Sequence, residues 1–141
     1  MSIEIINRKA AEDRRSVSLN PASMPVIKAG QVLRLSGGFA ILADGAAFVA
    51  DPMWAFTSTG RLDVDQGKSV TVVEAPFQAF VNTDCYAGSP VAGAALKIGT
   101  GADVGKLVTA TLPADMSAGL VVATCVAAPD ADGKLRIKAI R

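Results

Sequence analysis

Histidine is missing from all 141 residues. With it go the commonest general base and the commonest metal ligand. Ser-His and Cys-His nucleophiles are excluded, and a zinc site would have to be built from two cysteines and carboxylates. No catalytic residue, metal site or cofactor is therefore expected. Aromatic residues amount to only 5%, although apolar residues reach 50%, mostly Ala and Val. That favours a core of small and β-branched side chains in closely spaced strands. An excess of one charge is also missing, with 14 basic against 13 acidic residues. Such a balance gives no field able to draw in nucleic acid or anionic lipid over a distance, so neither is expected as a partner. No run approaches the ~20 apolar residues of a membrane-spanning helix. The two cysteines, Cys85 and Cys125, are too few for a disulfide scaffold and read as buried thiols in a reducing compartment.

What is present suits one compact β domain. A chain of this length buries roughly 68–70% of its unfolded surface and needs no staples. Residues 1–20 hold four basic side chains (Arg8, Lys9, Arg14, Arg15) and three acidic ones (Glu4, Glu12, Asp13), leaving ten of each for the remainder. The opening residues carry no pattern of a secretory leader, and the chain is expected to be made and kept soluble in a cytoplasm. Arg8 to Arg15 is shorter than the ~12–15 residues an isolated helix needs. Asn20-Pro21 and Met24-Pro25 then force extended backbone. Residues 1–24 are expected to form an extended N-terminal arm, or a disordered terminus, and residues 25–141 a β-barrel-like domain.

From Pro25 onward, short β-rich runs are cut by glycine. Expected strands are Val26-Ile27, Gln31–Leu35, Phe39–Leu42, Ala47–Ala50, Ser69–Glu74, Phe77–Asn82, Ala95–Ile98, Lys106–Thr111, Leu120–Val126 and Lys134–Ile140. Gly37-Gly38 and Asp44-Gly45 read as tight turns needing positive φ. Several short strands at this spacing predict an all-β barrel or sandwich with little helix. The best helical candidate is a single turn after Pro113, ended by Gly119. Leu120–Val126 reads as a strand covered on both faces. Lys134–Lys138 instead alternates, which places Leu135 and Ile137 inward and Lys134, Arg136 and Lys138 outward.

The chemical motifs mostly dissolve on inspection. Gly99 to Lys106 has Thr100 where a phosphate loop needs glycine, and Leu107 where it needs Ser or Thr. A dinucleotide fingerprint fails at Val104, so a glycine-rich surface loop is the better reading. Asp130-Ala131-Asp132-Gly133 opens like a calcium loop but lacks the later ligands and the closing glutamate, and a hairpin turn explains it. Lys134 follows that turn as the lysine of a lipoyl or biotinyl carrier would, but its neighbours match neither. Asp63 and Asp65 share one strand face and read as solvated surface charge. Trp54 and Phe56, after Pro52, either anchor a protein interface or cap one end of a barrel. The cations Lys134, Arg136 and Lys138, with Arg141 beyond, either dock on an acidic partner or protect an edge strand from aggregation.

The order of segments resembles the small capsid decoration (cement) proteins of tailed bacteriophages. The likeness runs through Pro25-Val26-Ile27-Lys28-Ala29-Gly30-Gln31-Val32-Leu33, Phe39–Ala43, Gly88-Ser89-Pro90-Val91, Leu96–Gly101, Gly105–Val108, Gly119–Ala123 and Asp132–Ile137. It covers roughly residues 25–141. It implies a β-barrel-like body on the outer surface of an expanded icosahedral head, binding the major capsid protein, bridging capsomers and forming a homo-oligomer (trimer or dimer). A terminal arm would reach across capsid subunits. Its contacts here would be Ile3, Ile5, Ile6, Arg8, Lys9, Arg14 and Arg15, with Ile3–Ile6 able to add a strand to an exposed sheet edge. A carbohydrate- or receptor-binding β module of a phage structural protein is the alternative. An enzyme using Asp63, Asp65 or Asp84 is a further rival.

Overall fold

The computed structural model describes residues 4–5 (backbone only), 14–22, 26–57 and 69–141. Among the described residues eleven strands carry the fold: β1 Glu4–Ile5, β2 Arg15–Ser18, β3 Val32–Ser36, β4 Phe39–Leu42, β5 Met53–Ala55, β6 Ser69–Val73, β7 Phe77–Val81, β8 Ala95–Ile98, β9 Leu107–Thr109, β10 Val121–Ala127 and β11 Leu135–Ala139. One α-helical turn, α1, spans Ala114–Ser117 among the described residues, beside 3₁₀ turns at Thr83–Cys85 and Gly101–Asp103. Two antiparallel sheets result, one ordered β1-β7-β11-β10-β8-β9 and the other β2-β6-β5-β3-β4. The all-β architecture with little helix is as the sequence pattern implies.

Period-two alternation explains how the sheets meet. Val32, Trp54 and Val73 of the five-stranded sheet pack with Phe77, Ala79, Leu96, Leu135 and Ile137 of the six-stranded sheet in one shared core. The neighbouring residues Leu33, Met53, Ala55 and Val72 point the other way and form a second core with Val17, Leu19, Ile27, Ala40 and Val70. The five-stranded sheet encloses that second core by curling, since its two edge strands, β2 and β4, approach each other. A small barrel, not closed by hydrogen bonds between β2 and β4, therefore shares a core with the six-stranded sheet. Each fully buried Leu, Ile or Val removes apolar surface worth about 1.5–3 kcal/mol.

Turn chemistry follows the glycines between β3 and β4. Gly37 and Gly38 have φ of 58° and 85° and join β3 to β4 as a two-residue hairpin with Ser36 opposite Phe39, the geometry of a primed turn. Gly45 departs from expectation. It is not among the positive-φ glycines, and a Cβ there would lie 1.8 Å from the Ile98 carbonyl oxygen. Close backbone approach, not turn conformation, demands glycine at that position.

Several placements differ from the sequence reading; Val26-Ile27, expected as a strand, is not one, although Ile27 is buried in the barrel core. Within the segment expected as an arm, Arg15–Ser18 is a strand paired with β6. Val17 and Leu19 are buried in the barrel core, because that core is open along β6 without them. Ala47–Ala50 is loop, not strand, held by Arg141, whose Nη1 donates to the Val49 carbonyl at 2.7 Å. Met53–Ala55 is instead a strand, and β11 is interior to its sheet, not an edge.

Candidate docking face

The outer face of the six-stranded sheet is built around β11. Its alternation buries Leu135, Ile137 and Ala139 completely and leaves Arg136 and Lys138 on the opposite face. Lys134 enters this strand from the turn after β10. There the Asp130 carboxylate accepts from the backbone N–H groups of Asp132 (2.9 Å) and Lys134 (3.0 Å), and Gly133 adopts φ 77°. The Tyr86 hydroxyl donates to the Gly133 carbonyl at 2.7 Å and fixes the turn from below. The stretch that opens like a calcium loop is thus a hairpin turn whose first aspartate is spent on backbone N–H groups.

The cations on this face are held in different ways. Arg136 sits opposite Phe80 in the β11–β7 ladder. Its guanidinium lies 5.9 Å from the Phe80 ring centroid, and Nη2 donates to Gln78 Oε1 at 3.2 Å. Its Nε is buried without a hydrogen-bond partner. Lys138 stands opposite Gln78 on one side and Thr124 on the other, and is exposed. Among the described residues, none of Lys134, Arg136 and Lys138 forms an ion pair. Lys97, on β8, is different: its Nζ is 2.9 Å from Asp115 Oδ2. The Asp115 carboxyl also accepts from the Thr111 N–H at 2.6 Å. The Lys97 ammonium, and then that N–H, hold it below the usual carboxylate range. One cation on the face is thereby neutralised, and three remain available along a single strand.

The other expected contact residues scatter. Trp54 is fully buried, edge-on to Phe77 at 5.6 Å and 89°, with Nε1 unpartnered. The interface role expected of it is therefore overturned, because β5 carries it into the core between the sheets. Phe56 is half-buried, with the Arg14 guanidinium 4.7 Å from its ring centroid. Arg15 is bound to Glu74 at 2.7 Å. Ile5 pairs with Ala79 in backbone register, which places β1 on the chain's own β7 edge. Ile3, Ile6, Arg8, Lys9, Asp63 and Asp65 lie outside the described residues. Asp84 is exposed on a single 3₁₀ turn.

Both cysteines are buried. The Cys85 thiol donates to the Ala29 carbonyl at 2.9 Å; burial, and then the Asp84 carboxylate, push its pKa up to about 12. Burial also raises that of Cys125. The glycine-rich loop between β8 and β9 is packed tightly: a Cβ at Gly99 would meet Asp103 at 2.6 Å, and one at Gly105 would meet Leu42 at 2.7 Å. Among the described residues, no group of three or more Cys, Asp or Glu is placed to hold a metal ion, and no helix is long and apolar enough to cross a membrane. The chain matches no protein-family model, no curated protein and no solved structure.

Sequence reasoning singled out the Lys134–Lys138 strip but missed the side chains that shape it. Phe80 and Gln78 lie within β7 and acquire a role only through the β7–β11 register. Nothing in their local sequence marks them.

Proposed function

We propose that this protein is a non-enzymatic capsid decoration protein of a tailed bacteriophage. In this reading it is a structural virion protein that binds the outer surface of the expanded head, bridges copies of the major capsid protein and stabilises the shell. The observation that carries the reading is the strip of unpaired cations on a sheet face. Lys134, Arg136 and Lys138 face outward from one central strand, and the guanidinium of Arg136 is held in place by Phe80 and Gln78. An acidic protein surface would satisfy these charges. The segment order of residues 25–141 supplies the identity of that partner by resemblance.

The physical logic suits a cement. A sheet face backed by a core shared between two sheets changes shape little on docking. Weak attachment per copy becomes firm when a dimer or trimer touches several subunits at once. A near-neutral chain also has little tendency to adhere to free DNA. The glycan-binding alternative draws less support, because Trp54 is buried and the Tyr86 hydroxyl is bonded to Gly133. The test is sedimentation of the purified protein with heads prepared without it, expanded and unexpanded. Selective co-sedimentation with expanded heads is expected; failure to sediment with either would reject the reading.

A further inference from the structure

The outer face of the six-stranded sheet carries charge of one sign along its strands. Strands β7 to β11 contain no Asp or Glu, and their cations are Lys97, Arg136 and Lys138. Lys97 is neutralised by Asp115. Lys134, in the turn before β11, has the exposed Asp132 beside it, while Asp130 is bound to backbone N–H groups. Glu4 of β1 stands opposite Phe80, two strands from Arg136, which is roughly 10 Å at ordinary strand spacing. Over the strands themselves, the charges left without an ion-pair partner among the described residues are those of Arg136 and Lys138.

These two cations are built differently. Lys138 is exposed, with only Gln78 and Thr124 beside it in register. Its ammonium is a hydrated point charge on a flexible stem, suited to attracting a partner and poor at holding one geometry. Arg136 is half-buried, with Phe80 of β7 on one side and Ala127 of β10 on the other. Its Nε is buried, Nη2 donates to Gln78 Oε1 at 3.2 Å, and the Phe80 ring centroid lies 5.9 Å from the guanidinium. Among the described residues it makes no other hydrogen bond, which leaves the outer end of the fork for a partner. A guanidinium already fixed and partly stripped of water loses little freedom on binding. It can grip a carboxylate with two parallel hydrogen bonds, and arginines in such settings dominate the affinity of protein interfaces.

We infer that Arg136 is the anchor of the docking face. Its guanidinium takes one Asp or Glu carboxylate of the partner protein in a two-point contact. Phe80 and Gln78 are its positioning residues, and Lys138 steers the encounter. The inference rests on the reading of this face as the one that meets the capsid, and it adds which residue carries the affinity and which chemical group that residue takes.

The test is a co-sedimentation titration of the full-length protein with expanded heads, at low and at high salt. Arg136→Lys keeps the charge and removes the fork, and it should bind about tenfold more weakly, or worse, at both salt concentrations. Lys138→Gln should bind more weakly than wild type at low salt and equally at high salt. Phe80→Leu should lose affinity several-fold, and Phe80→Tyr, which keeps the ring, should restore it. In the Arg136→Lys background Phe80→Leu should cost nothing further, because Phe80 acts through Arg136. Circular dichroism of each variant confirms that the fold is retained. Equal binding of wild type and Arg136→Lys, or an equal Phe80→Leu loss in both backgrounds, would overturn the inference and leave the capsid reading standing. Wild type that does not sediment with heads at all would overturn both.

Discussion

The ammonium of Lys97 stands 2.9 Å from the carboxylate of Asp115, and through it a strand of the six-stranded sheet is tied to the one-turn helix α1. The Asp115 pKa is depressed on folding. Its stabilisation is therefore complete above the ordinary carboxylate value of about 3.9 and is lost as pH falls through the lowered folded value. Urea unfolding of wild type and Asp115→Asn between pH 7 and pH 2 should show a wild-type advantage that is constant near neutrality and disappears in acid. An advantage that persists at pH 2 would mean that shape, not charge, makes the contact.

The thiols give a second check. With Cys85 pushed up to about 12 and Cys125 also raised by burial, neither presents a thiolate at pH 8. A disulfide reagent should label no cysteine in the native protein and two after denaturation. Rapid labelling of the native protein would show that one of these sites opens readily.

The strand β2 makes truncation informative. Residues 2–20 include Val17 and Leu19, both buried in the barrel core, whereas residues 2–13 do not. Removing 2–20 should cost about 3–6 kcal/mol more than removing 2–13, on the basis of two side chains at about 1.5–3 kcal/mol each. Denaturant titration measures the difference. The shorter deletion is also the fair test of an arm in capsid binding, because it leaves the barrel core intact.

Gly45 and Gly37 separate two uses of glycine. Gly45→Ala places a Cβ 1.8 Å from a backbone oxygen and should cost about 1–3 kcal/mol, as overpacking does. Gly37 has open space around it at φ 58°, a conformation asparagine tolerates. Gly37→Asn should change stability by no more than about 0.5 kcal/mol. Equal losses at the two sites would contradict the packing explanation for Gly45.

Much of the fold was legible because local chemistry and global packing agree. The Gly37-Gly38 pair has one natural use between two apolar runs, and the alternation of Lys134 to Lys138 survives intact in β11. The strand Met53–Ala55 was not legible: it is three residues long and wholly buried, so it shows neither alternation nor length. For the same reason Trp54 looked like an interface residue, since a lone tryptophan beside proline gives no sign of a second sheet closing over it. The cationic strand was recognised as outward-facing, but its central position was hidden. Sheet order depends on contacts between distant segments, and the bulges between β10 and its neighbours are not visible in residue periodicity. Phe80 and Gln78 gain their importance only from register.

The docking face itself is tested most directly by charge reversal. Lys134→Glu/Lys138→Glu changes two exposed side chains whose backbone positions are set by β11 and its turn, so folding should be unaffected. Titrated against expanded heads by co-sedimentation, wild type should bind with an affinity that falls as salt rises. The double variant should bind at least tenfold more weakly at low salt. Equal binding of the two proteins at every salt concentration would contradict docking through the cationic sheet face.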